Sequence, residues 1–138
     1  AAPAGTVLAN DAAGVYGSYT GSCTAPVLPV ANLQEVTPGE AELWTTVLGT
    51  AAQPYTIQVE RVTMTGSDPN RNLLIRVTDK RLLDATGGVV QGMSGSPIVQ
   101  NGRLAAVLTH VLVNDPSRGY AIFATTMLEK ADAVASSK

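Results

Sequence analysis

Gly92-Met93-Ser94-Gly95-Ser96-Pro97 is the stretch of this sequence best suited to chemistry. Two glycines bracket Ser94, and a proline closes the turn before the apolar pair Ile98-Val99. Glycine accepts backbone angles that a side chain forbids, so the main chain can fold tightly around the serine. A serine on such a turn presents its hydroxyl with backbone amides beside it. Those are the parts of a nucleophile and an oxyanion hole. The competing reading is a glycine-rich turn that holds a serine by chance.

An activated serine needs a base, and the base needs an orienting group. The sequence contains one histidine, His110, sixteen positions after Ser94. Two antiparallel strands between them would bring His110 back near Ser94. Alternatively, His110 is a strand-end residue that packs or hydrogen-bonds and takes no proton. Asp79 precedes a short helical stretch that delivers the chain to the serine turn. Helix capping alone would justify an aspartate there, and its second oxygen leaves room for orienting a base. Asp115 sits in an Asn-Asp-Pro turn, a common structural use of aspartate. The lone Cys23 has no partner for an internal disulfide and no metal-ligating companion, and reads as a small buried hydrophobe.

The surrounding elements are mostly short strands. Residues 1–12 read as a loose lead-in or a short edge strand, and Gly14–Tyr19 as a strand with close backbone approach. Val27–Ala31 contains Pro29 and can be an edge strand at most. After the Pro38-Gly39 turn, Glu40–Leu48 and Tyr55–Val62 alternate at period two and form a hairpin. Leu73–Val77 is a further strand. Thr78–Thr86 reads as a short helix, capped by Thr78 or Asp79 and ended by Gly87. Asn101-Gly102 is the preferred type I′ pair between two apolar strands, Pro97–Gln100 and Arg103–His110. Asn114–Ser117 is a turn, Gly119–Ala124 a returning strand, and a terminal helix runs over 125–135. The expected architecture is one mostly antiparallel β domain, with a barrel or sandwich over 13–124.

Composition excludes several classes. Of 138 residues, 45% are hydrophobic and 14% charged, which suits a packed core and not a disordered chain. A net charge of −2 with no basic stripe argues against nucleic acid as a partner. No window approaches the ~20 apolar residues of a membrane-spanning helix. Nothing suggests a metal or another cofactor, and Ala1-Ala2-Pro3-Ala4 is not a signal peptide.

The run from Val77-Thr78-Asp79 through Gly92-Met93-Ser94-Gly95-Ser96-Pro97 to Asn101-Gly102, with its continuation Thr109-His110 to Gly119-Tyr120, resembles the C-terminal core of the SpoIVB-type sporulation peptidases. Gly14-Val15-Tyr16-Gly17-Ser18 resembles a Phe-Gly-Ile-Phe-Gly-Thr segment of that family. The resemblance implies a chymotrypsin-like β-barrel and a serine endopeptidase working through an acyl-serine, with autoproteolysis among the family's activities. It makes Ser94 the nucleophile and Asp79 the acid. By analogy with related turns, the amides of Gly92 and Ser94 form the oxyanion hole. The family's catalytic histidine lies in a Gly-His motif upstream of the segment matched by Gly14–Ser18, and His110 matches a different histidine. The expected partners are therefore a peptide or protein substrate and an upstream segment or companion chain carrying the base. Family relatives also carry a PDZ domain. An extracytoplasmic location goes with this reading. The alternative is an inactive relative that keeps the fold as a binding or structural domain.

Overall fold

The computed structural model describes residues 5–11, 13–19, 28–47, 49, 51–64, 71–112 and 114–136. Cys23 lies outside them. The chain forms β1 (Gly5–Asp11), β2 (Gly14–Tyr19), β3 (Gly39–Thr45), β4 (Gln53–Val62), β5 (Leu73–Val77), α1 (Lys80–Thr86), β6 (Pro97–Gln100), β7 (Arg103–Leu112), β8 (Asp115–Phe123) and α2 (Ala124–Ser136). A single 3-10 turn spans Leu33–Glu35.

Six strands close an antiparallel barrel in the order β3-β4-β5-β8-β7-β6. Period-two alternation sets the register. Along β4, Tyr55, Ile57 and Val59 are buried while Gln58 and Glu60 are exposed, and β4 pairs Leu43 with Tyr55 and Val59 with Ile75. Leu43, Ile57, Leu73, Ile75, Ile98 and Leu108 are fully buried inside. Each such side chain contributes ~1.5–3 kcal/mol of hydrophobic stabilisation. Asn101 and Gly102 both take positive φ, 54° and 74°, so the β6–β7 connection is the type I′ hairpin expected from its sequence.

The ends of the chain build a second layer. β1 and β2 pair only with each other in a two-stranded sheet. β2 thus stands outside the barrel, which begins at β3 and not near residue 13. A two-stranded ribbon is marginal alone, and this one packs onto the barrel. Ala13 and Tyr16 share a small core with Val107 and Ile122, backed by Ala9, Met127 and Ala131. Ala105 to Leu108 are therefore buried on both faces of β7. Lys130 of α2 bonds Asp11 of β1 at 3.0 Å. Val30, in the segment expected to be an edge strand, makes an isolated parallel bridge to Leu104.

The turn before β8 is tighter than the sequence suggested, because Leu112 already pairs with Asp115. The Asp115 carboxylate accepts from the amide and hydroxyl of Ser117 and faces Arg118 at 3.5 Å, a structural role.

Candidate active site

The serine turn is built from two residues that only glycine fits well. Gly92 has φ 100° and Gly95 φ 92°. Between them the buried Met93 anchors the loop to the main core. Met93 N donates to Val90 O at 3.2 Å and Ser96 N to Met93 O at 3.0 Å. The turn is tied to β7 by Gly95 N to Leu108 O at 2.7 Å and Leu108 N to Ser96 O at 2.9 Å. Among the described residues, no backbone acceptor pairs with the amides of Gly92 or Ser94. An oxyanion hole needs unpaired donors of this kind, with both N–H groups aimed at one oxygen.

Ser94 itself is exposed. Its hydroxyl donates to the Thr109 carbonyl at 2.9 Å. That carbonyl is available because β7 bulges there. Leu108 pairs with Ala121 and His110 with Tyr120, which leaves Thr109 as the extra residue. Bulges beside active sites re-aim the groups they carry. The Thr109 hydroxyl donates to the Tyr120 carbonyl at 3.1 Å. It also lies 3.1 Å from His110 Nδ1. Ser94 and His110 thus share one neighbourhood, as the spacing suggested, but the serine proton is directed at a carbonyl.

Two cavities meet at this point. The larger, about 620 Å³, runs from Ser94 and His110 across Val107 and Ile122 to Asp11, Tyr16 and Met127. The smaller, about 360 Å³, lies between the Val89–Gly92 segment and Leu108–Val111. Both are lined by Ser94, Thr109 and His110.

Asp79 lines neither cavity. It is the N-cap of α1. One carboxylate oxygen accepts from Arg81 N at 2.9 Å and Arg81 Nε at 3.1 Å. The other accepts from Arg81 Nη2 at 2.8 Å and Thr56 N at 3.1 Å. Arg81 also donates to the Pro54 carbonyl at 3.0 Å and lies 5.1 Å from the Tyr55 ring centroid. Hydrogen bonds from the Arg81 side chain, followed by those from the Thr56 and Arg81 amides, hold the Asp79 carboxyl well below the usual aspartate range despite its burial. The structure therefore brings together Ser94, the Gly92 amide and His110, and sets Asp79 apart in an ion pair.

Thr109, Gln91 and the outer wall of Asp11, Tyr16 and Met127 were not singled out by the sequence. The ribbon and α2 are more than a hundred residues apart in the chain, so no local spacing pointed to their meeting. Among the described residues, no group of three or more His, Cys, Asp or Glu side chains is placed to hold a metal ion.

Solved structures sharing this architecture are of the Rv3671c protease from M. tuberculosis. The active form superposes with a TM-score of 0.64 at 20% identity, covering 94% of this chain and 58% of that one. An inactive serine-to-alanine mutant gives 0.61 at 16% identity over 97% and 66%, and a further inactive form gives 0.57 at 17% over 94% and 66%. The chain thus spans 58% to 66% of the length of these neighbours. At such identities the likeness establishes the fold, a chymotrypsin-like barrel. No curated protein matches the chain. The family model described as SpoIVB peptidase S55 matches residues 1–128. A match over nearly the whole sequence, on a barrel that exposes Ser94 between two positive-φ glycines, assigns the chain to the SpoIVB peptidase S55 family.

Proposed function

We propose that this chain supplies the nucleophile and oxyanion hole of a serine endopeptidase, and that the base comes from an upstream segment or companion chain. The observation that carries this is the Ser94 turn, with an exposed hydroxyl beside the unpaired amides of Gly92 and Ser94. A peptide carbonyl placed against those amides presents its carbon to Ser94 Oγ. As the base takes the Ser94 proton, attack gives a tetrahedral intermediate. The peptide C–N bond then breaks, the amine leaves with that proton, and water hydrolyses the acyl-Ser94 ester to the free acid and the serine hydroxyl.

A peptide reaches this position along β7. Beyond Val107 the strand has passed the start of β6, and His110–Leu112 pair only with β8 among the described residues. The other edge of that stretch borders Ser94 and offers main-chain hydrogen bonds to an added strand. The larger cavity leaves room beside Ser94 for an imidazole from outside the described residues. An extracytoplasmic setting and self-processing belong to the same proposal.

The acid of the family resemblance is Asp79. With Arg81 holding both its oxygens, Asp79 reaches an imidazole only after that ion pair opens. Closed, it anchors α1 to β4 and so fixes the segment leading to Gly92.

A second reading, a domain that binds peptides without cutting them, draws on the Ser94–Thr109 bond, which gives the serine no base. Labelling with a fluorophosphonate separates the two. Ser94 of the chain combined with its histidine-bearing segment should label stoichiometrically, and absence of labelling would favour the binding domain.

A further inference from the structure

Two cavities share Ser94, and only one is placed to receive the side chain of the residue under attack. We propose that the smaller cavity is this pocket and that it selects an uncharged apolar side chain over a charged one. The inference rests on the peptidase reading of Ser94 and names the substrate class of that site.

The placement follows from the walls. One wall is the segment Val89–Gly92, which ends in the amide proposed to hold the carbonyl oxygen. The facing wall is Leu108–Val111 of β7, whose open edge would pair with the peptide main chain. A residue with its carbonyl on the Gly92 and Ser94 amides and its backbone along β7 has its Cα over the gap between these walls. Its side chain enters that gap. The larger cavity opens instead toward Asp11, the ribbon and α2.

The chemistry of the lining sets the preference. Val90 and Val111 supply apolar surface, with the buried Val89 and Leu108 behind them, and Gln91 and Thr109 are polar but uncharged. His110 stands exposed at the rim. Among the described residues, no Asp, Glu, Lys or Arg lines the cavity, so a charged side chain would be desolvated without an opposite charge. The size is also set. About 360 Å³ is at the low end of the ~300–1,000 Å³ typical of ligand pockets. The wall cannot retreat, because Val89 is 1% exposed in the main core and its amide bonds the Pro116 carbonyl at 2.7 Å. At Gly88 a Cβ would overlap that same carbonyl. The volume admits any apolar side chain, aliphatic or aromatic, while the lining disfavours a charged one.

The test uses product-like tripeptides with free carboxylates, differing only in their last residue: Gly, Val, Leu, Phe, Lys or Asp. The carboxylate takes the place of the oxyanion, so binding needs no catalysis. Affinities are read from amide chemical shifts of the isotope-labelled chain. The Val, Leu and Phe peptides should bind about tenfold or more tightly than the Gly, Lys and Asp peptides, since they fill the gap with apolar surface and bring no charge to desolvate. Their binding should shift the Val90 and Val111 resonances. In Val90→Glu, a change at a partly exposed position, the Lys peptide should become the preferred one. Equal binding of the Lys or Asp peptide to the parent chain overturns the proposal. So does a ranking unchanged by Val90→Glu, or no peptide moving the Val90 and Val111 signals. Failure of the peptidase reading shows up separately, as a Ser94 that fluorophosphonate never labels while the peptide ranking holds.

Discussion

The hydroxyl of Ser94 is committed to the carbonyl of Thr109, 2.9 Å away, while the neighbouring His110 turns its Nδ1 to the Thr109 side chain. Thr109 therefore stands between the candidate nucleophile and the one histidine of the chain. A serine hydroxyl without a base is a weak nucleophile. The isolated chain should be folded but should not react promptly with an organophosphate or sulfonyl fluoride. Addition of the upstream segment with its Gly-His motif should restore labelling, and His110→Ala should leave the restored labelling intact. Stoichiometric labelling of the chain alone that disappears in His110→Ala would make His110 the base.

Replacement of Ser94 by alanine removes one exposed hydroxyl and its bond to Thr109. The expected stability change is within about 0.5 kcal/mol, as for surface positions. In the assembled enzyme, peptide hydrolysis should fall by several orders of magnitude, leaving at most the ~10³–10⁴-fold over water that binding and an oxyanion hole supply. Turnover of Ser94→Ala near that of the parent would remove Ser94 from the mechanism.

For Asp79 the expectation concerns pH as well as activity. Its folded carboxyl is held below the ordinary range by Arg81 and Thr56. The folded state therefore favours the ionised form, and the stabilisation is complete above the ordinary aspartate value near 4. It is lost as pH falls from there through the depressed folded value. Asp79→Asn keeps much of the cap but loses the ion pair, at a cost of about 1–2 kcal/mol at neutral pH. Denaturant melts at pH 7 and pH 3 should show a gap between parent and variant that narrows at the lower pH without closing, because pH 3 is still above the depressed folded value. A gap that does not change with pH would mean that the Arg81 pair contributes nothing. If activity falls in proportion to stability alone, Asp79 is an anchor; if the pH–rate profile also shifts, it acts on the base.

Gly87 and Gly88 offer a paired test of the wall behind the small cavity. Both have positive φ, 76° and 128°. A Cβ at Gly87 meets open space, whereas one at Gly88 overlaps the Pro116 carbonyl. Gly87→Ala should cost about 1 kcal/mol, the conformational term alone. Gly88→Ala should cost a further ~1–3 kcal/mol because packed backbone must move. Equal melting points for the two variants would contradict the close approach to Pro116.

The elements that local chemistry determines were readable in the sequence. The Asn101-Gly102 hairpin, the Asp79 cap, the Gly87 terminator and the alternation in β4 each depend on neighbours in the chain. The Ser94 turn was readable for the same reason, since its glycines answer a local backbone need. What was not legible depends on contacts between distant segments. The ribbon was placed in the barrel because alternation shows that β2 is a strand and not which strand it pairs with. The bulge at Thr109 leaves no mark in sequence, yet it decides where the Ser94 proton goes. The Arg81 clamp was missed because a cap aspartate and an arginine two residues later are each unremarkable until Thr56 and Pro54 arrive from β4.

β7 is a party wall. One of its faces belongs to the barrel interior and the other to the small core under the ribbon and α2. Val107, held by Tyr16 on that outer side, is two residues along the strand from the carbonyl that grips Ser94. The packing of the ribbon and the terminal helix thus reaches to within two residues of the serine's anchor, with the Thr109 bulge lying between them.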